Sequence, residues 1–461
     1  MTALMDDRRP ARTASAPAAG PAVPTGAKPG LVLAIIAAGA VATVSLWWQD
    51  TGSIGGLGDW LTNAGRVTGL LAGYGVVVLV ALMARIPPLE RGIGADRLAR
   101  WHSHGGRYTV SLVVSHGLLI IWGYAVTAHT DVLSQTSTLL MSYPDVLMAT
   151  VAGLLLVGVG AVSARAARRR MRYETWYYLH FYTYLAVALA FSHQFATGAD
   201  FMTNRPARVA WSAMYLAVAA AITWYRVAMP IRQALRHRLR VAAVYPEAPG
   251  VVSIVIRGHG LAELRAESGQ FFRWRFLTRE LWWAANPYSL SAAPRGDTLR
   301  ITVKDLGEHS QVLPRLRPGT KVLAEGPYGA MTAARRSERK VLLIAGGIGI
   351  TPLRALFESL PGEPEDITLL YRVSRDADVV FRDELTTIAQ QRGAGLHLLT
   401  GRRSELGYDP LSAPALVANI PDLPDYDVYV CGPEEMAASV VSALRAARVP
   451  RRRIHHESFE F

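Results

Sequence analysis

The sequence predicts a multi-domain protein: an α-helical transmembrane bundle of six spans, then an antiparallel β-barrel domain, then an α/β domain on a parallel sheet. Three observations carry this expectation. Apolar runs of about 20 residues, long enough to cross a bilayer, are concentrated before residue 230. From Val241 they give way to short β-branched and aromatic runs separated by turn residues. Beyond Lys340, strand-like and helical runs alternate, which is the signature of a parallel sheet with crossover helices.

Composition narrows the function. The chain has 461 residues, 51% of them hydrophobic, and a net charge of +13. The arginines cluster between apolar spans, where they act as topology signals, so the charge does not point to nucleic acid. Cys431 is the single cysteine. One thiol forms no internal disulfide and holds no iron–sulfur cluster, which takes several thiolates.

Residues 1–29, rich in Ala, Pro and Arg, read as a disordered cytoplasmic tail. Six spans follow at 30–48, 66–85, 107–126, 145–163, 176–195 and 208–228 in a domain covering 30–230. Arg91, Arg97 and Arg100 lie between spans two and three; Arg165, Arg168, Arg169, Arg170 and Arg172 lie between four and five. The loops after spans one and three hold Asp50, Asp59 and Asp131 and almost no basic residues. This asymmetry places both termini in the cytoplasm of a multi-pass protein of the plasma membrane.

Spans three and five carry the chemistry. His102 and His116 are 14 residues apart, and His180 and His193 are 13 apart. Polar side chains at membrane depth are costly and usually functional. Either gap spans about 20 Å of helix, so each pair samples two depths. The arrangement matches axial ligands of two stacked haems: His102 with His180 on the cytoplasmic side, His116 with His193 on the outer side. Six-coordinate irons suit electron transfer rather than oxygen binding. A gap of 14 returns His102 and His116 to within roughly 40° of one helix face, whereas a gap of 13 leaves His180 and His193 about 140° apart. A kink or a 3₁₀ turn is therefore expected between the latter two. His104 is a decoy, since His102 is the residue spaced to share a face with His116.

After span six, residues 231–245 include Arg232, Arg236, Arg238 and Arg240, the pattern of a short helix at the lipid headgroups. The runs at 251–256, 271–276 and 299–304 are expected barrel strands. Strands at 341–346, 367–373 and 426–432 belong to the parallel sheet.

Here the motifs reach a known family. Asn286-Pro287-Tyr288-Ser289-Leu290-Ser291 resembles the flavin-binding motif of the ferredoxin reductase-like superfamily, and Gly307-Glu308-His309-Ser310 its flavin pyrophosphate loop. Gly346-Gly347-Ile348-Gly349-Ile350-Thr351-Pro352 and Cys431-Gly432-Pro433-Glu434-Glu435-Met436 resemble its two nicotinamide-nucleotide signatures. The ending Glu457-Ser458-Phe459-Glu460-Phe461 is similar to its C-terminal aromatic. Joined to a six-span, four-histidine domain, the whole resembles the ferric reductase and NADPH oxidase family. The resemblance implies an FAD-binding domain at 231–337, an NAD(P)-binding domain at 338–461, and FAD, two b-type haems and NADPH as cofactors.

The residues support these roles individually. Tyr288 can lie against an isoalloxazine ring while Ser289 bonds its polar edge. Gly346, Gly347 and Gly349 let backbone N–H groups approach a pyrophosphate at a helix N-terminus, where Pro352 costs no hydrogen bond. Thr351, Gly432, Pro433 and Met436 complete the nucleotide site, and Cys431 and Phe461 are the candidate catalytic residues, Phe461 stacking on the flavin and swinging aside for hydride transfer. Asn286 departs from the resemblance, which has Arg or His there. It can bond a phosphate without neutralising it, so Arg300, with Lys304, is the candidate for charge compensation. Arg372, Ser374 and Arg375 follow a strand where an adenine ribose would lie, which favours a 2′-phosphate and NADPH over NADH.

The expected activity is electron transfer from cytosolic NAD(P)H through FAD and two haems to an acceptor outside. Ferric or cupric chelates rank first, dioxygen giving superoxide second, and a quinone or periplasmic partner third. The loops at 127–144 and 194–207, with His129, Asp131, Asp200 and Arg205, form the expected acceptor surface. A non-enzymatic sensor with a degenerate flavin module is the rival from another class. The lipid bilayer is the one expected macromolecular environment; oligomeric state is not legible.

Overall fold

The computed structural model describes residues 26–49, 51–52, 54–164, 171, 173–420 and 422–457. Most of the tail, Asp50, the arginines at 165–170 and 172, and Phe461 lie outside the described residues.

Among the described residues, six long helices precede the strands: α1 Pro29–Gln49, α2 Leu57–Leu82, α3 Ala95–Ala128, α4 Val146–Ser163, α5 Tyr173–Ala196 and α6 Arg205–Ile222. Helix α6 runs through a π-helical turn, Thr223–Ala228, into the helical segment Met229–His237. Five helical stretches among the described residues are long and apolar enough to cross a membrane; α5 is not one of them. The expected count of six spans is thus met by length but not by apolarity. The reason is the composition of α5, whose five tyrosines and two histidines dilute its aliphatic residues. It packs against α4, as α2 packs against α3.

Three local expectations change. The segment between His180 and His193 is unbroken α-helix, without the expected 3₁₀ turn. Part of the expected acceptor loop is also helical: Val132–Ser142 is capped by Asp131, whose Oδ1 accepts from the Leu133 and Ser134 N–H groups at 2.9 and 3.0 Å. At 231–245, helix covers only the first half, because strand β1 begins at Arg240.

The next domain has two three-stranded antiparallel sheets instead of one closed ladder. Strands β1 Arg240–Ala248, β2 Val251–Arg257 and β5 Thr298–Lys304 form one, in the order β1-β2-β5. Strands β3 Phe271–Phe276, β4 Asn286–Ser289 and β6 Val322–Tyr328 form the other, in the order β4-β3-β6. Two isolated bridges, Arg240 to Lys321 and Leu290 to Ile301, connect them at the corners. Both sheets close over Ile254, Ile256, Phe272, Trp274, Leu290 and Ile301, all at most 1% exposed. Each such side chain contributes about 1.5–3 kcal/mol on burial.

The last domain is a five-stranded parallel sheet, ordered β11-β10-β7-β8-β9, from β7 Lys340–Gly346, β8 Ile367–Arg372, β9 Gly395–Leu399, β10 Tyr426–Cys431 and β11 Ile454–Glu457. Strand order reverses between β7 and β10, so the crevice at their carboxyl ends is where this topology binds ligands. Helices α7 Ile350–Ser359, α8 Arg382–Arg392 and α9 Glu434–Ala446 complete the layers.

Candidate functional site

The four histidines meet in the two expected pairs. The His102 and His180 rings are 5.8 Å apart between centres, and the His116 and His193 rings 6.2 Å. Helix α2 holds the α3 partners: His102 Nδ1–H donates to Leu79 O at 3.0 Å and His116 Nδ1–H to Gly65 O at 2.8 Å. Gly65 and Leu79 are themselves 14 residues apart, so the antiparallel helices match one spacing to the other. His193 Nδ1 lies 2.9 Å from Thr197 Oγ1, a hydroxyl that also lies 3.1 Å from His193 O. The His102 and His116 rings therefore carry the proton on Nδ1, which leaves Nε2 as a lone-pair donor. A hydrogen bond on the far nitrogen is how ligating imidazoles are oriented. His180 stacks on Trp176 at 5.2 Å, and its buried Nδ1 has no hydrogen-bond partner among the described residues. His104 is exposed and turns back to Arg100 O.

Close approach is built into α2. A Cβ on Gly69 would stand 2.6 Å from His116 Nδ1. Gly65, Gly69 and Gly73 recur every fourth residue, a small-residue face that lets membrane helices pack closely. This was the missed signal for the positioning role of α2.

The donor set fits a porphyrin better than a bare ion. No group of three or more His, Cys, Asp or Glu side chains suited to a metal occurs among the described residues. Two axial nitrogens suffice only when a macrocycle supplies the others. Two metal–nitrogen bonds of about 2 Å, with about 1.1 Å from each nitrogen to its ring centre, separate the centres by roughly 6.2 Å. The observed pairs come close to that spacing.

On β4, the Trp274 indole N–H donates to Tyr288 O at 2.9 Å. Burial pushes the Tyr288 phenol up to about 12, partly opposed by the Asn286 side chain, so it stays a protonated donor. Pro287 pairs with Arg273 across the β3–β4 ladder, and Ser289 is buried. Ser310 closes the Gly307 loop, its Oγ accepting from the Leu306 and Gly307 N–H groups at 2.9 and 3.0 Å. Lys304 is exposed at the end of β5.

Arg300 is differently employed from expectation. Its guanidinium donates to both Glu384 carboxylate oxygens, at 2.7 and 2.9 Å, and to Ser291 O at 2.9 Å. Arg354 also bonds Glu384, at 2.8 Å. The charge proposed to offset Asn286 is thus spent tying β5 to α8.

At the sheet's switch point the two glycine loops interlock. Gly346 ends β7, Gly347 has φ +52°, and a Cβ on Gly349 would lie 2.3 Å from Cys431 O. Gly432, Pro433 and Met436 face Gly346 from the other side. Thr351 donates to Ile348 O, and Pro352 sits in the first turn of α7. Cys431 has no exposed surface; burial first, then the Glu457 charge, hold its thiol well above the usual range. Its side chain is buried as a neutral thiol at the carboxyl end of β10.

Beside this crevice, Arg372 donates to Val373 O and Leu399 O at 2.6 and 2.9 Å. Arg375 is paired with Asp378 at 2.9 Å on the surface. Ser374 lies between them, exposed. Buried Asp200 holds Arg66, so this carboxylate is a bundle tie rather than a surface group.

With this geometry in view, comparisons with known proteins place both halves. Residues 68–191 match the model of the ferric reductase like transmembrane component, and residues 343–442 that of the oxidoreductase NAD-binding domain. The chain is 30% identical over 249 residues to ferredoxin–NADP reductase B of Sorangium cellulosum, covering 50% of this chain and 99% of that one. It is 32% identical over 209 residues to the ferredoxin reductase component of 3-ketosteroid-9-alpha-monooxygenase of Mycobacterium tuberculosis, covering 43% of this chain and 56% of that one. Among solved structures, the flavohem-like FAD/NAD binding domain of nitric oxide dioxygenase from Vibrio cholerae is 24% identical with a TM-score of 0.36, covering 48% of this chain and 98% of that one. The chain belongs to the ferredoxin reductase-like FAD/NAD oxidoreductases, joined here to a ferric reductase like transmembrane component in the manner of the ferric reductase and NADPH oxidase type.

Proposed function

We propose that this protein carries electrons from NADPH, through FAD and two b-type haems, across the plasma membrane to ferric or cupric chelates outside. The observation that carries the reading is the pair of histidine couples, one on each half of α3, with ring centres 5.8 and 6.2 Å apart. His102 and His180 would hold the haem on the side of the soluble domains, and His116 and His193 the one beyond it. When bound, FAD accepts two electrons together and releases them singly, which one-electron haem carriers require.

The chain's own residues bind, orient and keep dry. Leu79 O and Gly65 O fix the His102 and His116 tautomers, and Thr197 orients His193. Tyr288 and Ser289 present a ring and a hydroxyl to the flavin, and the interlocked loops at Gly349 and Gly432 present backbone N–H groups to the nucleotide. Arg375 reads a 2′-phosphate by leaving Asp378; the pair is exposed and solvent-screened, so exchange is cheap. Both termini lie on the nucleotide side. An interior-negative potential favours outward passage of an electron by about 2.3 kcal/mol per 100 mV for a full crossing.

Sealed vesicles with the soluble domains facing the NADPH supply test the acceptor. Ferrous-chelate formation on the far side, insensitive to superoxide dismutase, is expected. Superoxide as the primary product would replace the chelate with dioxygen, and activity only with an added redox protein would replace both.

A further inference from the structure

Between the membrane bundle and the first soluble domain lies a cleft of about 380 Å³ that no nucleotide, flavin or histidine motif lines. Its walls are the segment after α2, the π-helical turn with the helix that follows it, and the turns near Arg265 and Tyr328. Five arginines, Arg85, Arg91, Arg232, Arg236 and Arg265, face two glutamates, Glu90 and Glu263, a surplus of three positive charges. Arg85 lies 3.6 Å from Glu90 and over the Tyr328 ring, and Arg236 pairs with Glu263. Arg91, Arg232 and Arg265 have no carboxylate partner within 4.0 Å among the described residues.

The cleft's position selects its ligand. It opens where the last membrane helix ends, and the π turn there places Trp224 half in solvent while Arg226 reaches back to Met83 O at 3.3 Å. An amphipathic ring beside a cationic pocket is the arrangement found at the headgroup level of a bilayer. Basic pockets at the ends of membrane helices recognise anionic headgroups. The soluble domain seals the far wall: Gln233 donates to Gly326 O at 2.8 Å, and Arg335 donates to Arg91 O and Gly92 O. A soluble anion would leave the exposed Trp224 ring uncovered, whereas the acyl chains of a lipid would cover it.

We propose that this cleft binds the phosphodiester headgroup of an anionic phospholipid, with Arg91, Arg232 and Arg265 as its cationic contacts and Trp224 against the acyl chains. The ligand would bridge membrane and soluble domains.

Native mass spectrometry of the full chain in detergent, with palmitoyl-oleoyl phosphatidylglycerol against the phosphatidylcholine of the same chains, tests this. One retained phosphatidylglycerol per chain is expected, at least tenfold tighter than phosphatidylcholine. Arg232→Gln with Arg265→Gln should abolish that preference, Arg232→Lys with Arg265→Lys should keep it, and Arg451→Gln with Arg452→Gln, remote on the surface, should leave it unchanged. On the unaltered chain, raising ammonium acetate tenfold should release the lipid. Equal retention of both lipids, retention unaffected by the Gln pair, or displacement by millimolar glycerol phosphate would each overturn the proposal, the last in favour of a soluble phosphate ester.

Discussion

Substituting Gly69 by Ala places one methyl group against the His116 ring and isolates how α2 positions that ligand. The new Cβ would lie 2.6 Å from Nδ1 and 2.8 Å from Cε1, against 3.4 Å for ordinary contact. The ring must therefore retreat by about 0.8 Å, or α2 must move away from α3. A retreat stretches the 2.8 Å hydrogen bond to Gly65 O past bonding distance. Losing that bond costs about 1 kcal/mol, and the overpacking about 1–3 kcal/mol. Misorienting a ligand through its far nitrogen typically weakens metal binding 10- to 100-fold. Gly117→Ala is the matched control: it lies on α3 with nothing within 4 Å of its Cβ, and Ala gains up to about 1 kcal/mol of helix propensity over Gly. The assay is haem per chain by pyridine haemochromogen, with low-temperature EPR for spin state. Gly117→Ala should keep two low-spin haems, and Gly69→Ala should fall towards one or show a high-spin fraction. Two unperturbed low-spin haems in Gly69→Ala would refute the reasoning.

Other outcomes follow from the soluble half. Gly349→Ala drives a methyl into Cys431 O; it should abolish nucleotide-driven flavin reduction and destabilise the domain by about 1–3 kcal/mol, read by stopped flow and thermal unfolding. Asp378→Asn should lower KM for NADPH by releasing Arg375, and Arg375→Ala should raise it, each leaving NADH kinetics nearly unchanged. Burial would raise the Glu384 carboxyl, but the hydrogen bond and charge of Arg300, with Arg354, outweigh it and hold it below its usual range. A depressed pKa stabilises the fold above the unfolded value and is lost as pH falls through the folded one. Melting scans should therefore show acid destabilisation below about pH 4.3 that Glu384→Gln removes. At neutral pH that variant should cost about 1 kcal/mol, discounted for the carboxylate's partial exposure. Cys431 should resist alkylation at pH 8 in the native chain and react once unfolded.

Several features were readable in the sequence because they are local. Gly346, Gly347 and Gly349 follow an apolar β-branched run and precede a helical one, so strand, loop and helix could be placed without knowing the sheet. The pairing of His102 with His180 and of His116 with His193 followed from spacing together with the parallel run of spans three and five, since helices fix depth by residue count. What escaped depended on partners distant in sequence. Arg300 looked free until α8, 84 residues later, supplied Glu384. Asp200 resembled a polar surface, yet it is buried and holds Arg66. The kink or 3₁₀ turn expected in α5 came from treating the two histidines as points on an ideal cylinder. Both imidazoles meet their partners from a helix that stays α between them. The orienting carbonyls of Gly65 and Leu79 have no side-chain signature, although the glycine repeat on α2 marks the close packing that brings them within reach.

The central claim is that two histidine-bound haems string electrons across the bilayer. The most direct measurement is NADPH-driven reduction in sealed vesicles, following the Soret difference spectrum and a membrane-impermeant ferric chelate on the far side. Unaltered protein should show two low-spin haems and reduce the chelate. His116→Ala with His193→Ala should lose one haem and all far-side reduction while still reducing a soluble dye on the NADPH side. A colourless protein from haem-replete cells, or far-side reduction untouched in that double variant, would contradict the account.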